Sequence, residues 1–124
     1  MDKYQALYQF FSSFDIPAYE QNSVPIGNDA PDFPYLTYAL NTAYGLDEIS
    51  LTLSLWYRSQ SQAEINLKTA EIAQEIGFAK VIPCSEGAVI IRPGVPFAQG
   101  MSDDTDPMIK RKLIILNANF ATIY

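Results

Sequence analysis

The chain has 124 residues, 48% of them hydrophobic, and its eight basic against fourteen acidic side chains give a net charge of −6. A chain of this length buries roughly two-thirds of the surface its unfolded form exposes, enough for one self-sufficient domain over residues 1–124 and too little for two. The acidic balance excludes a broad phosphate-binding face, so nucleic acid is not expected to adhere to it.

Residues 2–14 place Tyr4, Leu7, Tyr8, Phe11 and Phe14 at spacings of three and four, a single stripe on a helix that Asp2 can cap. That stripe is expected to pack on a sheet. Four prolines at 17, 25, 31 and 34, with Asn22, Gly27 and Asn28, then exclude a helix or a central strand and predict a stiff, extended connector. Its apolar residues Ile16, Tyr19, Val24, Ile26 and Phe33 are expected to tuck against the surface it crosses.

Two strands follow, Tyr35–Asn41 and Ile49–Arg58, joined around Thr42–Glu48. In the second, Ile49, Leu51, Leu53, Leu55 and Tyr57 alternate with Ser50, Thr52, Ser54 and Trp56, a period of two that buries one face and wets the other. Trp56 stands on the hydroxyl-bearing face, where it is either covered by a loop or used as a contact anchor.

Ser59 and Ser61 precede a helix over about 62–76, with Ser61 and Glu64 in capping-box spacing and Gly77 just past its end. Ile65, Thr69, Ile72, Ala73 and Ile76 form its inward stripe, and Glu64, Lys68, Glu71 and Glu75 face water. Ala63, Leu67 and Ala70 widen the apolar side, as extra core or as a subunit seam. Lys80–Pro83 and Ala88–Arg92 read as a hairpin around Ser85–Glu86–Gly87.

A loop is expected over 93–108, in RPGVPFAQGMSDDTDP, before a last strand from Ile109 to about Thr122. A loop of this length carries a function or is ordered by a partner. Lys110, Arg111 and Lys112 crowd the strand's start and could neutralise the acidic cluster before them. The pattern predicts an α+β fold: a mixed or antiparallel sheet of about four to five strands with two helices mainly on one face.

The chemistry of catalysis is thin. There is no histidine, which removes the commonest general base near neutral pH and the commonest zinc ligand. No phosphate loop, dinucleotide fingerprint or nucleophile elbow occurs. Cys84, the single cysteine, excludes an internal disulfide and has no base that can be named beside it. Asp103, Asp104 and Asp106 are the one carboxylate cluster; Mg²⁺ or Ca²⁺ take such ligands, but the spacing lacks the Gly and Glu of an EF-hand, and a solvated turn is the plainer reading. Neither a catalytic residue nor a cofactor or metal is expected, and a metal-dependent enzyme using the Asp cluster is the minor reading. The first residues lack the apolar core of a signal peptide, and no stretch approaches a membrane span, so cytosol is the default.

Four stretches, FDIPAYEQNSVP, FPYLTYAL, SLWYRSQS and PFAQGMSDDTD with Arg111 beyond it, resemble the tail terminator (tail-completion) proteins of long-tailed bacteriophages and prophages. The resemblance runs from about Phe14 to Arg111. It implies a homo-oligomeric ring, usually hexameric, on the neck-proximal end of the tail tube in the virion, assembled in the bacterial cytoplasm. Its partners would be the major tail tube protein on one side and the neck or connector protein on the other, with DNA passing through unbound and no membrane involved. A neck or head-completion component of similar size and acidity is the neighbouring alternative.

A closed ring needs two different patches on each subunit, and the proline-rich segment 17–34 and the loop 93–108 are the candidates, unless both fold back onto their own sheet. The expected interface residues are Tyr19, Trp56, Phe97, Met101, Asp103, Asp104, Asp106 and Arg111, with Phe97 and Met101 as apolar anchors and the aspartates facing the channel or the tube.

Overall fold

The computed structural model describes residues 1–41, 47–102 and 105–122. Two helices and six strands make an α+β domain. The elements in chain order are α1 (Lys3–Ser12), β1 (Ala18–Glu20), β2 (Tyr35–Tyr38), β3 (Glu48–Arg58), α2 (Ala63–Ile76), β4 (Lys80–Cys84), β5 (Gly87–Ser102) and β6 (Ile109–Thr122). They form one mixed, curled sheet in the order β1-β2-β3-β6-β5-β4, with β1 parallel to β2 and every other pair antiparallel. The expected turn around Thr42–Glu48 lies largely outside the described residues.

The centre of the sheet is the pairing of β3 with β6, in register from Glu48 opposite Asn119 to Arg58 opposite Ile109. Alternation along both strands sends Leu51, Leu53, Leu55 and Tyr57 to the same side as Ile114, Leu116, Ala118 and Phe120, and all eight are buried. Leu36 and Tyr38 of β2, Val89 and Ile91 of β5, and Ile82 of β4 continue that side outward.

Both helices pack there. From α2 come Ile65, Ile72 and Ile76, with Thr69 and Ala73 half-buried; from α1 come Ala6, Leu7 and Phe11, with Phe14 just beyond its end. The Phe11 ring meets Tyr38 of β2 at 4.7 Å, which ties α1 to the sheet.

The curl lets α1 touch both outermost strands, β1 and β4, so one short helix bridges the two edges. Its start is fixed by side chains far away in sequence. Asp2 accepts from the Gln5 amide (2.8 Å) while the Gln5 side chain accepts from the Asp2 amide (3.2 Å), a reciprocal cap. The Glu86 carboxylate, in the β4–β5 turn, accepts from the Lys3 amide at 2.9 Å and lies 3.8 Å from the Lys3 ammonium, both side chains being buried. The Ser85 amide donates to the Met1 carbonyl at 2.7 Å. A carboxylate at the positive end of the helix dipole, paired with an ammonium, is a buried charge that is compensated twice.

Several sequence expectations are corrected. The inward face of α1 is Lys3, Ala6, Leu7 and Phe11, so Tyr4 and Tyr8 turn outward, 43% and 52% exposed. Lys3, paired with Glu86, takes a place on that buried stripe. Within the proline-rich connector, Ala18–Glu20 is an edge strand, where prolines on either side cost no ladder bond, and Ile26 is exposed. Ser61 accepts from the Ala63 amide (3.0 Å) without the reciprocal Glu64 bond, and Lys68 turns inward to the Phe14 carbonyl (2.7 Å).

The largest correction concerns 93–108: β5 continues to Ser102, and β5 and β6 form one long hairpin. Its pairing skips between Pro93 and Ala98, a bulge at which Gly94 is buried against β6. The sheet has six strands against the expected four to five, the added one being β1 in the proline-rich connector, while β5 is an expected strand made longer.

Two outcomes follow. Removing Glu86 as Glu86→Ala takes the carboxylate partner from a buried ammonium and is expected to cost about 3–5 kcal/mol in denaturant unfolding, whereas Lys3→Met with Glu86→Leu recovers most of that loss; a single-site cost near zero would contradict the latch. A Cβ at Gly94 would lie 2.7 Å from the Ile115 carbonyl oxygen and 2.8 Å from its Cγ2. Gly94→Ala should lower stability by roughly 1–3 kcal/mol, the cost of forcing atoms into a filled site, while Gly100→Ala, with open space around it, should stay near wild type.

Candidate interface on the open sheet face

The alternation that fills the core also fixes what the other side of the sheet presents. Among the described residues, no helix covers that side. Across it runs a row set by strand register: Tyr35 on β2 opposite Trp56 on β3, Trp56 opposite Arg111 on β6, and Arg111 opposite Met101 on β5. One step along the strands lies a second row, Tyr19, Thr37, Ser54, Leu113 and Gln99. Such neighbours on one face are within side-chain reach of each other.

The contacts are specific. The Tyr35 and Trp56 rings are nearly parallel (13°) with centroids 6.1 Å apart, and the Arg111 guanidinium lies 4.8 Å from the Trp56 ring centre. Trp56 Nε1 donates to Thr37 Oγ1 at 3.0 Å, and Arg111 Nε and Nη2 donate to Ser54 Oγ at 3.3 and 3.1 Å. Tyr19 and Phe33 meet Tyr35 at 6.2 and 5.5 Å.

Thr37 and Ser54 are thus buried, on a face without a covering layer, by an aromatic and guanidinium lid. The rings and Arg111 are themselves only half-buried and keep an outer surface in contact with water. The indole and guanidinium are held in place by contacts within the chain, an ordering that would lower the entropy lost were this face to be covered.

Arg58 and Arg92 lie on the same side of the sheet. Arg58 pairs with Asp106 at the rim, and Arg92 Nη1 donates to Asn119 Oδ1 at 2.6 Å. All three arginines of the chain are therefore on this face.

Among the expected interface residues, Tyr19, Trp56, Arg111 and Met101 come together here, and Tyr35 links the first two. Phe97, at the bulge, packs against the core instead. Asp106 meets Arg58 and accepts from the Met108 amide (2.9 Å), while Arg111 turns to Trp56 and Lys110 to the Pro107 carbonyl. Asp103 and Asp104 lie outside the described residues. Among the described residues, no three His, Cys, Asp or Glu side chains are grouped to hold a metal ion. Nor is any helix there long and apolar enough to cross a membrane.

Tyr35, Thr37 and Ser54 were not singled out by sequence reasoning. The signal was the shared parity of Tyr35 and Thr37 with Tyr19 across short strands, which only the pairing register turns into a neighbourhood. Neither a protein family, nor a curated protein, nor a solved structure matches the chain.

Burial raises the Tyr35 phenol above its ordinary 10.0, and burial first, with Glu20 and Tyr8 adding, raises Tyr38. A phenol whose folded value is raised stabilises the fold fully below the unfolded value, and that stability is lost as pH climbs past about 10 toward the folded one. Ultraviolet titration should therefore show late-ionising tyrosines, with one fewer in Tyr35→Phe; a titration in which all tyrosines ionise together near the ordinary value would contradict this burial.

Proposed function

We propose that the chain is a structural assembly subunit, a tail-terminator-like protein that closes into a ring on the neck-proximal end of a phage tail tube, ends tube growth and joins the tail to the head connector. The observation that carries this reading is the Tyr35–Trp56–Arg111–Met101 row on an uncovered sheet face. Trp, Tyr and Arg are the residues that dominate binding energy in protein interfaces, and here they stand together, preordered and half-open to water.

A second consideration supports it. The four stretches that carry the resemblance are distant in sequence, yet each supplies a residue to this face: Tyr19 from the first, Tyr35 and Thr37 from the second, Ser54, Trp56 and Arg58 from the third, and Gln99 and Met101 from the fourth, with Arg111 beside them. A resemblance confined to core positions would report packing alone.

The mechanism is capping by shape. A subunit binds the last tube ring through one surface and offers the next tube subunit nothing to bind, so polymerisation stops without bond making or breaking. The long β5–β6 hairpin suits the tube or neck contact. Among the described residues β4 pairs with β5 only over Gly87–Ile91, so the outer edge from Arg92 onward lies open for a partner strand, with Pro93 and Pro96 limiting indiscriminate pairing.

Tube assembly with purified tube protein tests the reading. Added at substoichiometric amounts, the wild-type chain should decorate one tube end in electron micrographs and halt elongation, and Trp56→Ala should lose both effects while keeping its far-ultraviolet dichroism. Tubes of unchanged length, with no density at either end, would overturn it.

A further inference from the structure

We infer that the open sheet face of one copy is covered by the outer side of α2 from a second copy, in a head-to-tail contact. The inference rests on the assembly reading above and names the two surfaces that the ring would join.

The two-layer build places these surfaces back to back. The outer side of α2 and the Trp56 face lie on opposite sides of the same sheet, so no protomer can satisfy the contact within itself. A contact between unlike faces leaves each copy with one used and one unused patch, and repeats until a ring closes.

Charge selects α2 from among the exposed surfaces. The outer side of α1 offers Met1, Tyr4 and Tyr8 beside Gln5 and Gln9, and its one exposed carboxylate, Asp2, is engaged in capping the helix through the Gln5 amide. Ile26, Phe78 and Val95 are exposed at separate points in the sequence, outside the helices. On α2, by contrast, Glu64, Leu67 and Glu71 follow at spacings of three and four, a single exposed stripe of carboxylate, apolar side chain and carboxylate, with Leu67 74% exposed. From Glu64 to Glu71 the stripe spans about 10 Å at the rise of an α-helix.

The sheet face carries the complement. Trp56 is flanked by Arg58 two residues along its own strand and by Arg111 across the ladder, a spread on the order of 7 Å along β3 at strand rise. Leu67 has the size and polarity to cover the Trp56 indole, and the two carboxylates would then meet two guanidinium groups whose forked donors can take a second acceptor beside Asp106, for Arg58, and Ser54, for Arg111. Lys68 is turned toward the Phe14 carbonyl and pairs with one Glu71 oxygen at 2.6 Å, so Glu71 would share its carboxylate with Lys68 while Glu64 meets its guanidinium alone. Complementary charge of this kind fixes orientation and excludes the wrong pairing of two like faces.

Trp56 is the only tryptophan, so its emission reports this face alone. With rising concentration of wild-type chain, followed by sedimentation, the emission should move to shorter wavelength in step with the assembled mass. Leu67→Glu, on the far side of the protomer, should leave the dilute spectrum unchanged and weaken association on the order of tenfold or more. Glu64→Arg/Glu71→Arg and Arg58→Glu/Arg111→Glu should each stay monomeric alone, and their equimolar mixture should assemble.

If the wild type assembles but Trp56 emission stays constant, or if Leu67→Glu assembles as the wild type does, the α2 contact is wrong and the ring reading stands. A mixture of the two charge-reversed chains that stays monomeric also overturns the contact. If the wild type remains monomeric at every concentration and on tube ends, both readings fall.

Discussion

The register of β3 against β6 is the constraint on which the rest of this molecule depends. Side chains alternate with a period of two, so pairing Trp56 with Arg111 and Leu55 with Lys112 fixes the side taken by every residue of both strands. A slip of one residue would put Leu51, Leu53 and Leu55 in water and Trp56 in the core. The same register that supplies an apolar bed for two helices therefore also builds the aromatic and arginine row on the reverse. Core and candidate interface are two results of one pairing, and neither can change without the other.

Around that centre the fold solves a closure problem. A curled sheet has two free edges, and α1 touches both, held at its start by Asp2, by Glu86 and by the Met1–Ser85 bond. The Lys3–Glu86 pair is a costly element to bury, so its value lies in geometry: it fixes where the helix begins relative to the β4–β5 turn. The helix is also fastened to the strand side through Phe11 and Tyr38, and α2 reaches the following connector through Lys68 and the Phe14 carbonyl. These ties leave the helix layer on one side and the other side of the sheet bare among the described residues.

Much of this was legible in the chain. The alternation in ISLTLSLWY gave β3 and its buried side, the i, i+3, i+4 spacing with Gly77 gave α2, and the Ser85–Glu86–Gly87 turn gave the β4–β5 hairpin. Other features were hidden for physical reasons. A lysine three residues from the start reads as solvated, and its burial depends on a carboxylate 83 residues away. Aromatic spacing at Tyr4, Tyr8 and Phe11 fits two neighbouring helix stripes, and the long-range contacts of Lys3 with Glu86 and of Phe11 with Tyr38 belong to the one that is buried. Prolines and glycines over 93–102 read as loop because they break paired strands, yet an edge strand tolerates them. For the candidate interface, Trp56 announced itself by breaking a hydroxyl row, and Arg111 by a basic run; Tyr35 and Thr37 did not, because their role comes from a cross-strand neighbour.

The central claim is that the face bearing Trp56 is the surface a partner covers. Hydroxyl-radical footprinting reads it directly, because Tyr35, Trp56 and Met101 are readily oxidised and lie in one row, while Tyr4 and Tyr8 on α1 serve as internal references. Comparing dilute chain with the assembled state, oxidation should fall at Tyr35, Trp56 and Met101 and stay level at Tyr4 and Tyr8. Unchanged oxidation at the row, with protection moving to α1 instead, would contradict the account.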